Sequence, residues 1–202
     1  MWNYKISMKC VIVGDYSSGK TTLIETYRNQ KFTPIISSTV GCSFTVIPNI
    51  KYSSIAIWDT AGGDRFRSLI RMYYRTADVI IIVFDCSDNG SLNNLLEWIE
   101  NIDEPNATVI VAANKIDLID TKFQEYLEIC LRKLCSKLQI DHYVFVSSKE
   151  IRSVNKLFGE LLPKVLIGKE KQVNKKNQKT LCLRIDTPDV GYNGLNSYGC
   201  CY

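Results

Sequence analysis

The amino-acid sequence predicts an α/β protein built on a six-stranded, mostly parallel, doubly wound sheet with helices on both faces. Apolar segments of strand length alternate with amphipathic segments through most of the chain, which indicates repeated strand–helix–strand units. Val79–Asp85 is apolar up to its last residue, as expected for a central parallel strand that helices cover on both sides. Ligands of such sheets bind beyond the carboxyl ends of the strands, so the polar residues that follow strands are the candidate site residues.

The individual elements follow from hydrophobic spacing and turn residues. Two short alternating runs on either side of Pro48–Lys51 predict a hairpin at an antiparallel edge of the sheet. Lys31–Gly41 is polar and contains proline, which predicts a loop. The predicted strands are Lys5–Val13, Ser43–Ile47, Ile55–Trp58, Val79–Asp85, Thr108–Ala113 and Tyr143–Val146, and the predicted helices are Gly19–Asn29, Ser91–Ile102, Thr121–Leu138 and Val154–Ile167.

Length and composition limit the class of protein. The chain has 202 residues, of which 46% are hydrophobic, so we predict one domain over residues 1–167 and a disordered tail over residues 168–202. It has no apolar run of about 18 residues and no secretory signal pattern at its N-terminus, so we expect a cytosol-like compartment. The eight cysteines form no C-x-x-C pair and the chain has one histidine, which favours reduced thiols over disulfides or zinc.

The segment Gly14–Thr21 fits the pattern G-x-x-x-x-G-K-[ST] between a predicted strand and a predicted helix. In that context the backbone N–H groups of the loop and of the helix start bind phosphates. Lys20 is expected to reach the β- and γ-phosphates, and the hydroxyl of Thr21 is expected to hold Mg²⁺. The residues of this segment expected to contact the nucleotide are Asp15, Tyr16, Ser17, Ser18, Gly19, Lys20, Thr21 and Thr22.

Two further motifs lie at predicted strand ends. Asp59 is placed to act on Mg²⁺ through a water, and the N–H of Gly62 is free to meet a γ-phosphate. Asn114-Lys115-Ile116-Asp117 follows another strand. The carboxylate of Asp117 can accept hydrogen bonds from N1–H and the exocyclic amine of guanine, a donor pair that adenine lacks, while the stem of Lys115 lies along the base. The motifs together favour a guanine-nucleotide site over an ATP-using enzyme.

These motifs resemble those of the small GTPases of the Ras superfamily. The resemblance implies the P-loop small GTPase fold, GTP and GDP as ligands and Mg²⁺ as the cofactor. It implies that Thr39, in the segment called switch I, binds Mg²⁺ and senses the γ-phosphate, and that Phe32 packs edgewise on the guanine. Ser147-Ser148-Lys149 resembles the last base motif of the family, with Ser148 where alanine is usual, and the N–H of Ser148 can still reach guanine O6.

The chain is similar in particular to the Rab family, over residues 5–167. Phe44, Trp58 and Tyr73 match three aromatic residues that Rab proteins present to effectors, although each could instead be an ordinary core residue. The resemblance implies a monomeric switch of vesicle trafficking that works with effector proteins, an exchange factor, a GTPase-activating protein and a prenyl-extraction chaperone, and with no nucleic acid. The segments that carry this similarity are Val40–Phe44, Arg65–Ile70, Tyr73–Ala77 and the terminal cysteines.

Two departures from the family pattern fall on the catalytic machinery. Gly63 stands where a glutamine usually orients the attacking water, and Tyr16 stands where a small residue is usual, so that its ring obstructs the γ-phosphate. Intrinsic hydrolysis in the superfamily is on the order of 10⁻⁴ per second, and an arginine supplied by an activating protein adds roughly 10⁵-fold. With Lys20 and Thr39 retained as catalytic residues, we expect slow hydrolysis; the alternative is a GTP-binding scaffold with negligible turnover.

The C-terminal tail carries the positive charge of the chain. Residues 164–184 contain seven Lys or Arg and one acidic residue, and such a segment is attracted to anionic lipid by about 1 kcal/mol for each basic residue near the surface. The ending Gly199-Cys200-Cys201-Tyr202 is not a C-a-a-X box. It resembles the endings on which Rab proteins receive two geranylgeranyl groups, which suffice for stable anchoring. We therefore expect lipidation of Cys200 and Cys201, and a cytoplasmic protein that reversibly occupies the cytosolic face of an intracellular membrane.

Overall fold

One sheet organises the folded part of the chain. The computed structural model describes residues 6–34, 37–48, 54–63 and 67–169, and within these ranges six strands form a single sheet. The strands are β1 (Ile6–Val13), β2 (Cys42–Pro48), β3 (Ser54–Thr60), β4 (Val79–Asp85), β5 (Thr108–Asn114) and β6 (His142–Phe145). Their order is β2-β3-β1-β4-β5-β6, with β2 antiparallel to β3 and the other neighbours parallel. The predicted fold class is confirmed.

Helices cover both faces of the sheet. The α-helices are α1 (Lys20–Asn29), α2 (Arg67–Tyr74), α3 (Asn89–Glu100), α4 (Thr121–Lys137) and α5 (Ile151–Asn155), which runs into a π-helical segment, Lys156–Leu161. Successive residues of β1 point to opposite faces, so Ile12 packs in a core with Leu23 of α1, whereas Val13 packs in a second core with Leu95 of α3. The central strand β4 is buried up to Asp85, as its continuous apolar sequence predicted.

Among the differences from the sequence prediction, one is a missed helix and two concern where an element begins or ends. The sequence reasoning proposed no helix between β3 and β4, but α2 lies there and buries Ile70 and Tyr74, which are one helical turn apart. Pro48 pairs with Ser54 and so ends β2, whereas it had been expected in the turn; residues 49–53 lie outside the described ranges. The last helix begins at Ile151, three residues before the predicted start, and Ile151 and Arg152 in its first turn are exposed.

The membrane expectations rest mainly on the C-terminal region. Within the described ranges, no helix combines the length and the apolar composition that crossing a bilayer requires. Cys200, Cys201 and most of the basic segment lie in residues 170–202, outside the described residues. The division into a domain and a tail therefore stays a prediction.

Candidate nucleotide-binding site

The loop between β1 and α1 forms a cradle of backbone donors. Gly14 has φ +137°, and a Cβ there would lie 1.9 Å from the carbonyl oxygen of Val83, so only glycine fits this close approach. No side chain in the described ranges caps the start of α1, which leaves its first N–H groups available to an anion. The Nζ of Lys20 donates to the carbonyl oxygens of Gly14 at 2.9 Å and Asp15 at 2.7 Å. This arrangement suits a polyphosphate.

The ammonium group of Lys20 lies in a largely buried position. Burial lowers the pKa of Lys20 to about 8, while the nearby carboxylates of Asp59 and Asp15 act in the opposite direction. A phosphate close to the ammonium would favour its charged form further, since an opposite charge stabilises a buried cation. An anionic ligand in the cradle would therefore stabilise the charged form of Lys20.

Two hydroxyls and one carboxylate meet beside this cradle. The Oγ1 of Thr21 donates to Oδ2 of Asp59 at 2.6 Å and lies 2.8 Å from Oγ1 of Thr39, which itself donates to the same Oδ2 at 3.3 Å. Burial raises the pKa of Asp59, although the hydrogen bond from Thr21 and the charge of Lys20 oppose that effect. The three predicted metal ligands are thus brought together from α1, switch I and β3.

The composition of this cluster fits a magnesium ion. Oδ1 of Asp59 is buried and has no hydrogen-bond partner among the described residues, and an unsatisfied carboxylate oxygen is costly unless a ligand binds it. The donors are all hard oxygens, and Mg²⁺ is commonly held by one carboxylate and hydroxyl or phosphate oxygens. Thr21, Thr39 and Asp59 would hold it there, and its chemistry would be to neutralise charge on phosphate oxygens.

At the other end of the site, Asp117 presents a carboxylate that two neighbours hold in place. Lys115 has φ +64° and turns the chain into the short 3₁₀ helix that carries Asp117. The hydroxyl of Ser147 donates to Oδ1 of Asp117 at 2.6 Å, and Nζ of Lys149 lies 2.7 Å from Oδ2. Burial alone would raise the pKa of Asp117, but the hydrogen bonds from Lys149 and Ser147 outweigh it and hold this pKa below its ordinary value. The group is therefore an ionised acceptor.

Asn114 ties the two ends of the site together. Its buried side chain donates from Nδ2 to the carbonyl oxygen of Ser18 at 2.8 Å and accepts from the backbone N–H of Ser148 at 3.2 Å. Beside it, the Nζ of Lys115 forms a 2.6 Å ion pair with Asp85 at the end of β4. The phosphate loop and the base loops are thus connected through one amide, and Asp85 is a partner of Lys115 that sequence reasoning missed.

These groups surround a single cavity of about 660 Å³. Most of the predicted nucleotide contacts line it: Tyr16, Ser17, Gly19, Lys20, Thr21, Thr22, Phe32, Thr39, Gly62, Gly63, Asn114, Lys115, Asp117, Ser148 and Lys149. Residues that also line it but were not predicted are Pro34, Ser37, Ser38, Val40, Thr60, Ala61 and Leu118. Four residues of the predicted nucleotide and metal sites do not line the cavity, namely Asp15, Ser18, Asp59 and Ser147. Ser18, Asp59 and Ser147 support the lining residues through the hydrogen bonds described above.

The side chain of Asp15 faces α3, and only its carbonyl oxygen faces Lys20. The Nε1–H of Trp98 donates to Oδ1 of Asp15 at 2.8 Å, and Nδ2 of Asn94 donates to Oδ2 at 3.1 Å. Sequence reasoning missed both partners, because α3 is about eighty positions away in the chain. The available signal was Trp98 itself, since a buried indole N–H nearly always needs an acceptor.

Tyr16 and Gly63, the two departures from the family pattern, line the same cavity. The Tyr16 side chain is 66% exposed, and its hydroxyl lies 3.0 Å from Oγ of Ser38 in switch I. A Cβ at neighbouring Gly62 would come within 2.5 Å of the Asp15 carbonyl and of Nζ of Lys20, so this turn lies directly against the phosphate loop. Both departures therefore lie where the γ-phosphate is expected.

The three predicted effector residues lie together near the edge of the sheet, and Trp58 and Tyr73 are partly buried against the core. Phe44 and Trp58 are paired across β2 and β3 with their rings 5.3 Å apart, and the ring of Tyr73 lies 5.7 Å from that of Trp58. Nζ of Lys9 lies 5.2 Å from the Trp58 ring, within the range of a cation–π contact. Since Phe44 is 50% exposed, it is not an ordinary core residue.

Comparison with known proteins agrees with the fold. The Ras family model matches residues 9–167. A probable Rab-related GTPase of Acanthamoeba polyphaga mimivirus is 30% identical over 96% of this chain and 93% of its own length. The human Ras-related protein Rab-30 is 30% identical over 100% of this chain and 97% of its own, and human Rab-22A is 34% identical over 76% and 81%. The chain belongs to the Ras family and is a Rab-like small GTPase.

Proposed function

We propose that the protein is a membrane-anchored GTP/GDP switch of vesicle trafficking that hydrolyses GTP slowly and recruits effectors while it is loaded with GTP. The observation that carries the nucleotide assignment is the single cavity in which the phosphate loop and Asp117 face one space. The phosphate loop suits a polyphosphate, and the ionised Asp117 suits the two parallel donors of guanine. A ligand that satisfies both ends is a guanine nucleotide.

The chain supplies a distinct role for each end of this ligand. Lys20 and the N–H groups at the start of α1 bind the β- and γ-phosphates, while Thr21, Thr39 and Asp59 hold Mg²⁺ beside them. Asp117 selects guanine, with Ser147 and Lys149 keeping its carboxylate ionised and oriented. These roles follow from the donor and acceptor chemistry of the residues that meet around the cavity.

We attribute the slow hydrolysis to Gly63 and Tyr16. Gly63 has no side chain with which to orient or polarise an attacking water. The ring of Tyr16 lies at the phosphate end of the cavity, where an arginine from an activating protein would have to enter. Hydrolysis therefore proceeds at or below the intrinsic rate of the superfamily, which is on the order of 10⁻⁴ per second. If these two residues reduce the hydrolysis rate almost to zero, the protein is a GTP-binding scaffold with negligible turnover.

Single-turnover hydrolysis of bound GTP tests this proposal in the wild type and in the variants Tyr16→Ser and Gly63→Gln. We expect Gly63→Gln to raise the intrinsic rate, and Tyr16→Ser to raise the rate that a Rab-directed activating protein stimulates. Tyr126→Ser is a matched control, because Tyr126 is an exposed tyrosine of α4 that does not line the cavity.

The outcomes separate the candidate functions. Brisk hydrolysis by the wild type that neither substitution changes would refute the proposed role of Tyr16 and Gly63. Stable GTP binding with no turnover, even with an activating protein present, would identify the protein as a GTP-binding scaffold.

The remaining parts of the proposal concern partners. The cluster of Phe44, Trp58 and Tyr73 is the proposed effector surface, supported by its position on β2, β3 and α2 and by the exposure of Phe44. The proposed membrane anchor consists of the basic tail and geranylgeranyl groups on Cys200 and Cys201. An exchange factor, an activating protein and a prenyl-extraction chaperone are the partners that such a cycle requires.

A further inference from the structure

A contact between Tyr16 and Ser38 joins the phosphate loop to switch I. The two hydroxyl oxygens are 3.0 Å apart, although the residues are separated by 22 positions in the sequence. Both side chains are exposed, and both residues line the nucleotide cavity. The hydrogen bond therefore crosses the mouth of the cavity at its phosphate end.

Among the residues that the structure describes, few other contacts hold switch I near this point. Thr39 is held by Thr21 and Asp59, and the carbonyl oxygen of Gly41 accepts a hydrogen bond from the backbone N–H of Ala61 at 2.8 Å. Val40, between these two anchors, is 84% exposed, so little apolar burial stabilises the segment. Within the described ranges, a small number of polar contacts therefore hold this segment, and the contact between Tyr16 and Ser38 is adjacent to Thr39.

We propose that the Tyr16–Ser38 hydrogen bond acts as a latch that keeps switch I over the cavity, positions Thr39 and slows nucleotide release. This inference rests on the proposed function, since it concerns the same cavity. A contact that exists only while the segment is closed favours the closed state by the free energy of that contact. Because Thr39 follows Ser38 directly, holding Ser38 also restricts where the hydroxyl of Thr39 can lie.

The latch depends on the hydroxyl of Tyr16, whereas the proposed obstruction of hydrolysis depends on its ring. Tyr16→Phe keeps the ring and removes the hydroxyl, so it separates the two effects. A net intramolecular hydrogen bond changes an equilibrium by about two- to tenfold, and the exposure of this one places it toward the lower end.

The test measures the dissociation rate of a fluorescent, non-hydrolysable GTP analogue from the Mg²⁺-loaded full-length protein. We expect Tyr16→Phe and Ser38→Ala each to accelerate release by about two- to tenfold. The double variant should release no faster than either single variant, because both remove the same hydrogen bond. Ser38→Thr keeps a hydroxyl and should stay close to the wild-type rate. Ser136→Ala and Tyr126→Phe are the matched controls, because both residues are exposed on α4 and neither lines the cavity.

Two results would overturn the latch. One is that neither substitution changes the release rate; the other is that their effects multiply in the double variant, as they would for independent sites. A wild type that binds no guanine nucleotide at all would instead overturn the proposed function, and the latch with it. The wild type could bind guanine nucleotide and show coupled effects of the Tyr16 and Ser38 substitutions on the release rate, while Tyr16→Ser and Gly63→Gln leave hydrolysis unchanged. That result would support the latch and refute the proposed slow hydrolysis.

Discussion

At the scale of single residues, Asp117 is the residue proposed to select the base. Its two carboxylate oxygens are already oriented, one by the hydroxyl of Ser147 and the other by the ammonium of Lys149. Because its pKa is held below its ordinary value, the group is ionised throughout the physiological pH range. A permanently ionised, fixed acceptor pair is what discrimination between guanine and adenine requires.

We predict that Asp117→Asn lowers the affinity for GTP by about 100-fold or more, since hydrogen bonds to charged groups contribute roughly 1.5–3 kcal/mol each. The amide places a donor where guanine also has donors, so xanthosine triphosphate, which carries a carbonyl at that position, should become the better ligand. Equilibrium titration with both nucleotides measures this. Asp120→Asn is the control, because Asp120 only caps α4 and asparagine caps helices equally well. Undiminished GTP affinity would contradict the role of Asp117.

At the scale of secondary-structure elements, α3 supports the phosphate loop through Asp15. The carboxylate of Asp15 accepts hydrogen bonds from Trp98 and Asn94, both on α3. The carbonyl oxygen of the same residue accepts a hydrogen bond from Nζ of Lys20, so the position of this lysine is linked to the packing of a helix on one face of the sheet. Sequence motifs identify the loop but not the helix that holds it.

We predict that Trp98→Phe lowers the free energy of unfolding by about 1–3 kcal/mol, because it leaves a charged acceptor with one partner fewer. Urea denaturation measures this value, and a double-mutant cycle with Asp15→Ala separates the hydrogen bond from lost ring packing. If the two substitutions are additive, the bond between Trp98 and Asp15 contributes nothing. Asn94→Ala should have a smaller effect, since its bond is longer at 3.1 Å.

Element prediction succeeded where burial was continuous and failed where it was partial. β4 was predicted with its observed bounds because all residues before Asp85 are buried. α2 was missed because it is short, with eight residues, although Ile70 and Tyr74 are both buried. Pro48 was assigned to a turn, which its missing N–H favours, but it lies on an edge strand where that loss is tolerated.

At the scale of the whole molecule, the proposed role as a membrane switch requires that the domain be attached to the membrane surface. The proposed anchor lies in the C-terminal residues and depends on two lipids, because a single chain gives only marginal binding. The basic residues of the tail add attraction to anionic lipid. Anchoring and nucleotide binding are therefore expected to be separable by mutation.

We predict that Cys200→Ser combined with Cys201→Ser shifts the protein from the membrane to the soluble fraction of cells, with nucleotide binding retained. Cell fractionation measures the distribution, and Cys182→Ser, which removes another cysteine of the same region, serves as the control. Membrane association that persists in the double variant would refute the anchor.

The sequence by itself determined the fold class and fifteen of the twenty-two residues that line the cavity. The reason is physical: continuous apolar runs define parallel strands, and polar residues at the strand ends must gather at one edge of the sheet. Only the tertiary structure decided the contacts between distant polar side chains. It turned the carboxylate of Asp15 to α3, paired Lys115 with Asp85, and brought the hydroxyl of Tyr16 to Ser38. Such contacts depend on how loops and helices pack, which no local pattern encodes.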